Sequence, residues 1–108
     1  MCDNLNQTPL TSSDNGMVYW CKNCRNFSVV YKTSCMMFNI RDYSSFLQLL
    51  NSLGKDDFKY EIGSQMNVIL KNNCSSVGLS LTEEESQDMA NLMAEGMLLY
   101  EANRLITT

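Results

Sequence analysis

The sequence predicts an α+β fold with a mostly antiparallel sheet, in the order β-β-β-α-β-β-α and ending on a long C-terminal helix. Three observations predict it. Residues 17–38 are rich in aromatic and β-branched types and alternate along the chain, the period-two signature of strands. Residues 40–53 and 83–105 instead place apolar side chains at helical spacing. Strands and helices also fall in separate blocks, which favours hairpins over parallel crossovers.

Residues 1–15 read as an irregular arm, because Thr8, Pro9, Thr11, Ser12, Ser13 and Asp14 are turn and loop formers. Asn15-Gly16 is a turn signal just before an apolar run. A first strand follows at 17–22 and a second at about 27–33, with Phe27, Val29 and Tyr31 on one face. A third is expected at 35–38, separate or continuous with the second through a bend.

A helix begins at Ile40 behind Asn39, a good N-cap, with Asp42 in the first turn, where a carboxylate suits the positive helix end. Tyr43, Phe46, Leu47, Leu50 and Leu53 form its apolar stripe, and Gly54 is expected to end it in a left-handed cap. Residues 55–65 read as a polar connection in which Phe58, Tyr60 and Ile62 alternate, enough for a short edge strand. Residues 66–71 and 77–81 read as a hairpin about Asn72-Asn73. Thr82 and Glu85 make a capping box for the last helix. That helix runs to about Leu105, some 35 Å at roughly 1.5 Å per residue. Met89, Leu92, Met93, Gly96, Met97, Tyr100 and Arg104 share one side of it, while Leu98, Leu99, Leu105 and Ile106 add apolar surface elsewhere. This excess predicts a homodimer through the C-terminal helix; a wide buried stripe in a monomer is the alternative.

The 108 residues are one domain's worth, and an apolar fraction of 44% with 19% charged residues is ordinary for a packed core. Residues 1–41 set Lys22, Arg25, Lys32 and Arg41 against Asp3 and Asp14, a net +2, whereas residues 42–108 set four cations against ten acids, a net −6. Four scattered cations fall short of a basic stripe, which argues against nucleic acid as the main partner. A weak nucleic-acid contact by the basic N-terminal half, through Trp20 and its neighbours, is kept as an alternative. The polar first fifteen residues do not look like a secretory signal, and no run of about 18 apolar residues predicts a membrane span. The expected location is cytoplasmic, where cysteines stay reduced.

Chemistry is sparse. There are five cysteines and no histidine, which removes His-based triads and His general bases. Cys21-Lys22-Asn23-Cys24 is the one spaced pair. Two thiolates at this spacing can hold one tetrahedral zinc, because a tight turn aims both sulfurs at a common point. The ligand set is expected to be Cys21, Cys24, Cys2 and Cys35, with Asp3 or Asp14 able to replace a thiolate. Two readings compete for the same residues: free thiols at a β-turn, and a redox dithiol helped by the positive field of Lys22 and Arg25. The eight methionines, three of them at Met89, Met93 and Met97, read as core filler.

The arm with Cys2, the aromatic-flanked Trp20-Cys21-Lys22-Asn23-Cys24, the helix with Phe46 and the Leu79-Ser80-Leu81-Thr82-Glu83-Glu84-Glu85 run into a long helix together resemble a family of short uncharacterised bacterial proteins, a domain of unknown function. The resemblance covers nearly the whole chain. It implies no activity. It supports taking Cys2, Cys21 and Cys24 as a set, and this chain has Asn4 where some relatives place a His near the first Cys. The expected role is a non-enzymatic binding or structural module.

Overall fold

A computed structural model describes residues 7–71 and 78–107. It is α+β, built on two antiparallel sheets. Four strands come first: β1 (Gln7–Ser12), β2 (Gly16–Cys21), β3 (Asn26–Tyr31) and β4 (Ser34–Phe38). The helix α1 (Ile40–Ser52) and a 3-10 turn at Lys55–Asp57 lead into β5 (Tyr60–Ile62), β6 (Gln65–Lys71) and β7 (Gly78–Thr82), and α2 (Glu83–Thr107) closes the chain. The sheets are ordered β1-β2-β3-β4 and β5-β6-β7, every pair antiparallel.

Three details depart from the sequence reading. Residues 7–12 are a strand, not part of an irregular arm: β1 pairs with β2 from Gln7 opposite Cys21 to Ser12 opposite Met17. It tolerates Pro9 because β1 lies at the edge of its sheet, where a missing N–H breaks no ladder. Its register shifts between Pro9 and Thr11, which leaves Leu10 as an inserted residue. The strand expected at about 27–33 is β3 and stops at Tyr31, where Lys32 takes a left-handed φ of 53° and turns the chain into a distinct β4. Gly54 is not a left-handed cap: α1 ends on an extended Leu53, and Gly54 itself has φ −105° at the head of the 3-10 turn. The predicted N-caps are present. Asn39 accepts from the Asp42 N–H at 2.7 Å. Thr82 and Glu85 exchange the two bonds of a capping box, at 3.2 and 2.9 Å.

Helix α2 packs on β1, β2, α1, β6 and β7, and α1 packs on β3, β4 and α2. One face of the larger sheet is therefore covered, and Val18, Phe27, Val29, Tyr31 and Phe38 are buried there. Val68, Leu70 and Leu81 of the second sheet join the same core, as do Met89 and Leu92 of α2. Strand alternation sends Met17, Tyr19, Val30, Cys35 and Met37 to the opposite, outer face. Tyr43 is fully buried between the helices, and its hydroxyl donates to the Met93 carbonyl of α2 at 2.6 Å. Burial raises the Tyr43 phenol above its ordinary range.

Polar side chains of α2 fasten the hairpin ends. Asp88 accepts from Asn15 Nδ2 at 2.9 Å and from the Tyr31 hydroxyl at 2.8 Å, Glu85 pairs with Lys32, and Thr11 donates to Glu95 at 2.6 Å. The Asn15 and Tyr31 bonds hold Asp88 below the usual carboxylate range, and the Lys32 bond and the cap do the same for Glu85. Burial, with the neighbouring Asp88 carboxylate, drives the Tyr31 phenol upward. A carboxylate with a depressed folded pKa contributes stability that is complete at neutral pH and fades as pH falls through that folded value. The thermal midpoint should therefore drop below about pH 5, and Asp88→Asn should flatten part of that slope. Parallel slopes for the two proteins, followed by circular dichroism, would rule out Asp88 as a contributor.

Candidate functional site

The β2–β3 connection carries the Cys-x-x-Cys pair. Cys21 is the last residue of β2, opposite Asn26, and residues 22–25 form the turn. The turn is closed by the Arg25 N–H donating to the Cys21 carbonyl at 2.9 Å, with Arg25 left-handed at φ 55°. The Cys24 N–H donates to the Cys21 sulfur at 3.4 Å. The turn thus wraps its backbone around that sulfur. Cys21 is a buried free thiol at 4% exposure, although alternation places it on the outer face, on the side of β2 opposite Trp20.

The proposed ligands are only partly brought together. Cys21 and Cys24 share the turn. Cys2 lies outside the described residues, as does the remaining cysteine, Cys74. Cys35 is exposed on β4 opposite Val30, four residues along β3 from the Asn26 that faces Cys21. At about 3.3 Å per residue this sets it about 13 Å down the strand, too far to share an ion whose sulfurs lie about 2.3 Å from the metal. Asp14 is removed from the set for the same reason, since it sits in the β1–β2 turn at the opposite end of β2. Among the described residues no three of Cys, Asp and Glu converge. One expectation about the thiols is corrected: Cys24 is disulfide-bonded, and to neither Cys21 nor Cys35, which are both free.

On the helix side of the same turn lies a cleft of about 710 Å³. Its walls come from four elements: Thr8 and Leu10 of β1, Trp20 of β2, Ile40 at the start of α1, and Tyr100 near the end of α2. Lys22 and Arg25 of the turn and Arg104 of α2 line it as well, and Glu101 accepts from Arg104 at 2.6 Å. The Trp20 indole is fixed by rings on two sides, with centroids 4.7 Å from Tyr100 and 4.8 Å from Phe27. The sequence places Tyr100 and Arg104 on one side of the last helix and Trp20 beside Lys22 and Arg25. No local pattern joins the two groups, which are some eighty residues apart.

Among the described residues, no helix is long and apolar enough to cross a membrane. A family model described as "Family of unknown function (DUF6686)" matches residues 1–103. No curated protein and no solved structure matches the chain.

Proposed function

The chain belongs to a family of unknown function, DUF6686, and from its own residues we propose that it is a non-enzymatic binding or structural module that holds a zinc-like ion at the Cys21–Cys24 turn. The observation that carries this reading is the Cys24 N–H donating to the Cys21 sulfur. In a zinc knuckle such amides offset the charge that two thiolates concentrate at one turn. In this reading the disulfide at Cys24 is reduced, so that its sulfur binds as a thiolate beside Cys21; Cys2 is the third sulfur and Asp3 the fourth ligand. Because a chain of 108 residues can bury a core without a metal, the ion acts as a local clamp on one end of the sheet. The module is cytoplasmic in this proposal. It pairs as a homodimer through α2, whose Leu98 and Leu105 are 70% and 74% exposed.

Protein purified under reducing conditions without chelator should carry about one zinc per chain, released as thiol reagents modify Cys21 and Cys24. Less than about 0.2 zinc per chain, with both thiols reacting freely, ends the metal reading.

One observation favours a second reading, a dithiol redox protein. Cys24 is disulfide-bonded while Cys21, three residues away, is a free thiol. The Cys21 thiolate can attack the Cys24 sulfur, forming a Cys21–Cys24 bond and releasing the previous partner as a thiolate. Disulfide mapping across a glutathione titration separates the two readings: only exchange of this kind yields a Cys21–Cys24 peptide.

A further inference from the structure

We propose that the cleft between the β2–β3 turn and the end of α2 binds a phosphorylated planar heterocycle, that is, a nucleotide, either free or at the end of a strand. The chain carries a net −4, yet Lys22, Arg25 and Arg104 line this one cleft, and among the described residues no carboxylate lines it. Lys22 and Arg25 are exposed, and among the described residues their side chains make no hydrogen bond or ion pair. Two cations flanking one opening, with no acid among the described residues to neutralise them, are a site for an anion, and the guanidinium fork suits phosphate oxygens.

The cleft also has a flat wall. Trp20 is braced by Phe27 and Tyr100, so its ring is held in place before any ligand arrives. A braced indole beside two cations offers stacking to a ring and ionic contact to its phosphate at once, which is how bases and backbone are gripped together. About 710 Å³ suits a ligand of nucleotide size and exceeds what a lone inorganic anion needs. Leu10 and Ile40 add the apolar lining such a ring prefers. Thr8 and Asn103 add polar atoms at its margin.

The ligand sits on the face of β2 opposite the Cys21 sulfur, so this proposal does not rest on the metal reading and can fail or hold without it. Trp20 is the one tryptophan of the sequence, so its fluorescence reports this cleft alone. The full-length protein should be titrated with adenosine 5′-monophosphate, adenosine, inorganic phosphate and a short oligothymidylate at low salt. The monophosphate or the strand should quench Trp20 saturably and bind at least about tenfold tighter than adenosine or phosphate alone, the worth of one charge-assisted contact. Tighter binding of the strand assigns the source to nucleic acid; tighter or equal binding of the mononucleotide assigns it to the free ligand.

The paired variant K22Q with R25G removes both turn cations. Glycine is at ease at φ 55°, so the turn is retained. Affinity should fall about tenfold or more while the thermal melt is kept. No saturable response to any probe overturns the proposal. So does equal affinity in the variant, or adenosine alone binding as tightly as its monophosphate.

Discussion

Replacing Gly16 by alanine should lower the thermal midpoint by about 10–20 °C, from a loss of about 2–4 kcal/mol. A Cβ built on Gly16 falls 2.2 Å from the Val30 carbonyl oxygen and 3.0 Å from Leu92 Cδ2. The leucine end can turn aside. The carbonyl cannot, because β3 is held by ladders on both sides, with Val30 between Met17 and Cys35. The added methyl must part β2 from β3 at its first pair, Gly16 opposite Tyr31, or push α2 outward from the sheet. Either movement also disturbs the Tyr31 hydroxyl on Asp88. A thermal and denaturant melt checks this, and a variant within about 2 °C of the parent would mean that the close approach is not present in solution.

The second large effect lies where the two helices and the sheet meet. A Cβ on Gly96 falls 2.8 Å from the Tyr43 hydroxyl oxygen and 3.0 Å from Val18 Cγ1. Alanine is the better helix former by about 1 kcal/mol, so the crowding must exceed that gain for the substitution to destabilise. It should, because the hydroxyl is pinned by its 2.6 Å bond to the Met93 carbonyl and cannot swing away. G96A is expected to cost about 1–3 kcal/mol. Y43F alone should cost about 1 kcal/mol for the lost bond. Together they should cost less than the sum by about 1 kcal/mol, since removing the oxygen makes room for the methyl. Strict additivity in the double-mutant cycle would show that Val18, not the hydroxyl, is the obstacle.

Much of the fold was legible because local pattern and tertiary structure agree. Phe27, Val29 and Tyr31 alternate and are buried together, and Tyr43, Phe46 and Leu50 repeat at helical spacing and face the core. Both helix starts were readable from Asn39 and from Thr82 with Glu85, whose capping bonds involve only near neighbours. β1 was hidden because Thr8, Pro9 and Ser12 favour loops locally, and its strand character is supplied by pairing with β2. The end of α1 was misjudged because a glycine permits a left-handed cap without requiring one. At the candidate site, the Cys21–Cys24 turn was visible as a local motif. Cys35 was drawn into it by closeness in sequence, and only the strand register shows that β3 carries the chain away. The cleft was invisible, because its walls come from residues 8–25, 40 and 100–104, and no local pattern encodes their meeting.

The inserted Leu10 and the neighbouring Pro9 also govern how this chain can meet a copy of itself edge to edge. β1 withholds one donor at Pro9 and breaks its rhythm one residue later, so a foreign strand finds no regular row of amides to lengthen there. β4 has neither device, and it offers Cys35, Met36 and Met37 along a short open margin. Among the described residues, the regular edge of the larger sheet is therefore β4, away from the margin that walls the cleft.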